Sequence, residues 1–96
     1  MRNYTYSQAA FQDLEEIFEY IAKDNLPAAH RVWADIEAAL AMLAKRPLLG
    51  HRRTDWTSDP VRFWAVRSFV TIYRPDSKPL QVVRIIHGAR DVPRVI

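Results

Sequence analysis

The sequence predicts an α+β domain in the order β-α-α-β-β-β, an antiparallel helical hairpin packed on one face of a small, mainly antiparallel sheet. Three observations predict it. Two consecutive stretches, Phe11 to Ile21 and Ala29 to Leu43, repeat apolar residues at helical spacing and are parted by a short proline-containing break. From Val61 onward the pattern changes to short runs rich in Val, Ile, Phe, Trp and Tyr, which favour strands. The chain has 96 residues, enough for one hydrophobic core, so residues 1–96 read as a single domain.

The elements follow in order. Asn3 to Tyr6 is rich in strand formers and reads as a short first strand. Ser7 reads as an N-cap, and Phe11, Leu14, Ile17, Phe18 and Ile21 then form the apolar stripe of a helix of roughly four to five turns. Gln12, Glu15, Glu16, Glu19 and Lys23 fall largely on its other side. Asp24-Asn25-Leu26-Pro27 breaks this helix, and Pro27 suits the first turn of the next, where its missing N–H costs nothing. Ala29, Val32, Trp33, Ile36, Leu40 and Leu43 make the second stripe, which Arg46-Pro47 ends. So short a break implies an antiparallel hairpin.

Pro47 to Pro60 has no period and reads as a loop with a turn at Gly50. Val61 to Arg67, Phe69 to Tyr73 and Leu80 to His87 read as successive antiparallel strands, with a break near Ser68 and a hairpin loop from Arg74 to Pro79. Val82-Val83 and Ile85-Ile86 put apolar residues on both faces of the last strand, so its alternation is imperfect. Trp33, Phe63, Trp64 and Phe69 read as core. Trp56, in a polar loop, reads as folding back on the sheet.

Composition excludes several functions. With no cysteine there is no disulfide, thiolate metal site or cysteine nucleophile. His30, His51 and His87 are scattered and lack paired carboxylates at ligand spacing, so no metal is expected. Only Gly50 and Gly88 are glycine, so there is no glycine-rich phosphate loop, and no cofactor is expected. The N-terminus lacks the apolar run of a signal peptide, and no stretch is long enough to span a membrane, so a cytoplasmic location is expected. Charge is uneven. The first 25 residues carry two basic and five acidic side chains, net −3, and the remainder brings the total to +3. An acidic front and a basic back suggest a face for an anionic partner.

The C-terminal half carries a resemblance. After the helical hairpin come Pro47-x-x-Gly50, then Arg62-Phe63, then Phe69-x-x-Ile72-Tyr73-Arg74, and finally Val83-Arg84-Ile85-Ile86-His87-Gly88-Ala89-Arg90-Asp91. That succession resembles the RelE/ParE toxin superfamily over essentially the whole chain, and within it the ParE branch. The resemblance implies a toxin of a type II toxin–antitoxin system, neutralised by a ParD-like antitoxin that folds against it. RelE-like members are ribosome-dependent mRNA endoribonucleases, whereas ParE-like members poison DNA gyrase.

Chemistry weighs the two activities. RelE-type cleavage needs an acid or base near the reacting oxygens and cations to stabilise the charged transition state. The strand position that bears a basic residue in such enzymes is Val70 here, and the tail Asp91-Val92-Pro93-Arg94-Val95-Ile96 has no tyrosine. These absences favour gyrase inhibition by protein–protein binding, with no catalytic residues and no direct specific DNA binding by the toxin alone. On that reading Arg84, Arg90 and Arg94 form a basic edge for the target. On the nuclease reading Arg84, His87 and Arg90 are the catalytic candidates. The simpler role for His87 is a turn histidine that hydrogen-bonds the backbone, and for Arg90 a pairing with Asp91 or a helix carboxylate. Arg52 and Arg53 read as solvent-facing.

Overall fold

A computed structural model describes residues 2–88. The predicted order holds: β1 (Tyr4–Tyr6), α1 (Gln8–Ala22), α2 (Leu26–Lys45), β2 (Arg62–Val66), β3 (Phe69–Arg74) and β4 (Leu80–His87). The sheet runs β1-β4-β3-β2. Its β2–β3 and β3–β4 pairs are antiparallel, while β1 lies parallel to β4.

The helix ends obey local chemistry. The Ser7 hydroxyl accepts the Ala10 N–H at 3.0 Å and caps α1. Asn25 caps α2 through the Ala28 N–H at 3.0 Å, with Pro27 in the first turn. Ala10 and Leu14 of α1 join Val32, Ile36, Leu40 and Leu43 of α2 against Tyr4, Phe69, Tyr73, Leu80, Val82 and Ile85 of the sheet. The apolar stripe of α1 is wider than the sheet requires. Ile17 and Ile21 pack on this core, but Phe11 is 40% exposed, and Phe11 and Phe18 meet Trp33 edge-to-face between the helices.

The imperfect alternation in β4 is a β-bulge. Ile72 pairs with Arg84, but Tyr73 pairs with Val82, which leaves Val83 as an extra residue. Leu80 and Val82 before it, and Ile85 after it, thereby face the same helices, while Val83 and Ile86 join a second cluster with Val61, Phe63, Val70 and Ile72. Trp56 folds back on this second face, its ring 5.3 Å from that of Phe63. Phe63 and Phe69 are buried, whereas Trp33 and Trp64 are half-buried at the margin of the core.

The loop after α2 is fastened by one phenol. Tyr73 is fully buried, and its hydroxyl donates to the Pro47 carbonyl at 2.7 Å and accepts the Gly50 N–H at 2.8 Å. A Cβ at Gly50 would overlap the Tyr73 hydroxyl and lie 2.8 Å from Cε1, so glycine is required by space. Replacing Gly50 by Ala should lower stability by about 1–3 kcal/mol, as overpacking a core does, read as a lower urea midpoint at unchanged slope.

A second phenol cluster ties β1 to α2. The Glu37 carboxylate accepts from the Tyr6 hydroxyl at 3.1 Å and the Tyr4 hydroxyl at 3.3 Å. Burial, and then the Glu37 charge, push both phenols above their ordinary pKa; burial also raises Tyr73. A phenol held neutral by the fold adds stability that is present below the unfolded-state pKa of about 10 and fades as pH rises past it. Stability should therefore fall between pH 9 and 11 by roughly 1 kcal/mol or more per unit. Tyr6→Phe should flatten that decline in urea titrations at each pH.

Candidate functional site

The strand edge beside α1 is the most distinctive place in the molecule. β1 covers β4 only from Leu80 to Val82, because the chain then turns into α1. Ser7 continues the pairing for one step, donating its N–H to the Val82 carbonyl at 2.9 Å and its hydroxyl to the Val83 carbonyl at 2.8 Å. Six residues after Ser7, on α1, Asp13 accepts the Ile85 backbone N–H at 3.0 Å.

Asp13 also holds Arg84. The guanidinium grips it with Nε–Oδ2 at 2.7 Å and Nη2–Oδ1 at 2.9 Å, a bidentate pair whose side chains are 30% and 12% exposed. The hydrogen bond to Asp13 raises the Arg84 pKa further above its already high ordinary value, so the guanidinium stays charged. The Nε–Nη2 edge of Arg84 is thus engaged within the fold, which leaves Nη1 and the second Nη2 hydrogen for any other partner.

Past Ile85, no described residue pairs with this edge of β4. The Gly88 N–H goes to the Ser68 carbonyl across the β3 side. Alternate residues of an antiparallel strand direct their backbone groups to opposite sides, so the Ile85 carbonyl and both His87 groups point away from β3. Beside them runs a groove of about 900 Å³. Ile17 and Ile21 of α1, Val32, Phe69, Ile85 and Ile86 give it apolar walls. Asp13, Glu16 and Tyr20 form one rim, and Arg67 and His87 another. Arg67, in the short Arg67-Ser68 turn between β2 and β3, takes a left-handed conformation with φ of 55° and pairs with Asp35 of α2.

His87 lies at the groove mouth, exposed, with its ring 5.0 Å from that of Phe69. It rests on an aromatic face: among the described residues its imidazole makes no hydrogen bond, and the strand end is fixed by the Gly88 amide, with Gly88 at φ of 83°. Arg84 does not line the groove, so the structure does not bring these two candidates into one site. Arg90 and Arg94 lie outside the described residues. Val70 is buried in the cluster on the face away from the helices. Arg52 is exposed, but Arg53 pairs with Asp55 and stacks over Trp56 at 3.5 Å. Among the described residues no cluster of His, Asp or Glu side chains suits a metal ion, and no helix is long and apolar enough to cross a membrane.

Sequence reading missed Asp13, whose spacing marked it only as one of several helix acids. Its single legible signal was an acid among the apolar residues of α1, between Phe11 and Leu14.

The chain thus folds as a small mixed sheet under a helical hairpin, with an apolar groove beside an edge of β4 that no described residue pairs past Ile85. The sequence model of the ParE toxin of type II toxin–antitoxin systems, parDE, matches residues 4–92, so the chain belongs to that family. Among solved structures it is similar to a chain described as the chromosomal ParDE toxin–antitoxin system from P. aeruginosa, with a TM-score of 0.73. The identity is 22%, over 92% of this chain and 97% of that one, a likeness of fold. Comparison with curated protein sequences gives no significant match.

Replacing Asp13 by Ala leaves the Ile85 amide and the Arg84 guanidinium without their shared partner. The loss should be about 2–3 kcal/mol, measured by thermal or urea unfolding. Arg84→Ala should cost less, because Asp13 keeps the amide.

Proposed function

We propose that this chain is the toxin of a type II pair, that it inhibits DNA gyrase by binding it, and that a ParD-like antitoxin neutralises it. Membership of the ParE family carries the proposal. The site supports binding over catalysis. An acid–base histidine usually has a second group to orient it, and His87 instead rests on Phe69, with Arg84 engaged by Asp13. The groove supports the antitoxin's part. An amphipathic segment would bury its apolar side on Ile17, Ile21 and Phe69, and an extended one would add to backbone groups of Ile85 and His87 that no described residue pairs. Asp13 and Glu16 on the rim favour basic residues in that segment.

Induced alone in a bacterial cytoplasm, the toxin should cause filamentation and a DNA-damage response, and the purified protein should make gyrase accumulate cleaved DNA. Co-expressed antitoxin should reverse both. Unimpaired gyrase together with new mRNA ends in the ribosomal A site would overturn this reading in favour of the nuclease.

A further inference from the structure

Far from the groove, the turn after α2 carries a patch that neither the fold nor the groove uses. From Lys45 to Arg53 the sequence is KRPLLGHRR, with four cations, a histidine and no acidic residue. Leu48 is 69% exposed and Leu49 37%, and Met42, one helical turn before Arg46, is 37% exposed. Among the described residues Lys45, Arg46 and Arg52 pair with no carboxylate.

These side chains stand on a backbone that is held in place. The Leu49 N–H closes a turn on the Arg46 carbonyl at 3.1 Å, with Pro47 at its second position. Tyr73 fixes Pro47 and Gly50, and Arg62 Nη1 donates to the Gly50 carbonyl at 2.8 Å. His51 exchanges both backbone hydrogen bonds with Phe63 at 2.9 Å. Leu48 is therefore held out into solvent, with Leu49 partly exposed beside it, on a fixed support. A pre-organised loop loses little entropy on binding, which raises the affinity available from a few exposed side chains.

We infer that Met42, Lys45, Arg46, Leu48, Leu49 and Arg52 form the surface that docks the toxin on its target, at an acidic protein patch with an apolar cleft for the leucines. The identity of that target rests on the function proposed above. Charge selects an acidic partner, and the leucines select protein over nucleic acid, since phosphates offer them no apolar partner. Single-stranded nucleic acid would call for a free aromatic face, whereas Trp56 lies between Arg53 and Phe63, and His51 stacks along Trp64. The loop and the groove lie at opposite ends of β3. Tyr73 fastens the loop and Phe69 lines the groove, four residues or about 13 Å apart along the strand. The two surfaces can thus be altered separately.

The test uses the whole toxin with two double variants, Leu48→Asp with Leu49→Asp, and Arg46→Glu with Arg52→Glu. Gyrase affinity, antitoxin affinity and growth arrest on induction are measured for each. Both should bind antitoxin like the wild type, bind gyrase at least about tenfold more weakly, and arrest growth less. Wild-type binding should weaken as salt rises. Either double variant binding gyrase within about twofold of wild type would overturn the inference. So would charge reversals that abolish binding to a 20-base-pair DNA duplex while the leucine variants leave gyrase binding intact. If wild-type toxin does not bind gyrase, the target reading fails and growth arrest decides. Folded variants as toxic as wild type then overturn the docking surface, and harmless ones support it for another target. Should a double variant not fold, Leu48→Ser and Arg52→Ala, at exposed positions, replace it with the same readouts.

Discussion

One extra residue in the last strand, Val83, sets the geometry on which the other parts depend. A bulge there lets Leu80, Val82 and Ile85 all face the helices although two and then three positions separate them. It also leaves carbonyls and an amide on the side where β1 has ended. Ser7 and Asp13, both on or just before α1, satisfy them, so the position of α1 is fixed by polar contacts to the edge of β4 as well as by apolar packing. The Arg84 guanidinium neutralises Asp13 and makes its partial burial affordable.

The same constraint produces the groove. Because α1 is tied to β4 at Ile85 and, among the described residues, not beyond, the strand runs past this cover beside Ile17, Ile21 and Phe69. Exposed strand edges are a hazard in a protein that works alone. On the function proposed above, an antitoxin segment would cover this edge. Tyr73 does comparable work at the other end of β3, where one hydroxyl sets the path of the loop that carries the basic residues. Strand β3, buried along almost its whole length, is the axis from which both surfaces are positioned.

Much of this was legible in the sequence. Ser7 and Pro27 announce helix starts, and the Val82-Val83 and Ile85-Ile86 doublets announce a strand that is apolar on both faces. The doublets could not say that a bulge reconciles them, because a bulge is a property of two paired strands. Trp56 folds back as its polar surroundings suggested, but Phe11 does not enter the core, since the sheet is too narrow to cover the whole stripe of α1. Of the candidate site, His87 lies at the groove as an exposed residue, whereas Arg84 turned out to have a carboxylate waiting for it.

The sequence by itself determined the order of elements, the Ser7 cap and the family, because periodicity, capping and short strand runs are local and survive without knowledge of neighbours. Tertiary structure alone decided which charged groups are free. Arg84 meets Asp13 across 71 positions and Gly50 meets Tyr73 across 23, and no local pattern encodes such pairs. What a side chain can do for a partner depends on what the fold has already asked of it, and that is settled only when distant residues meet.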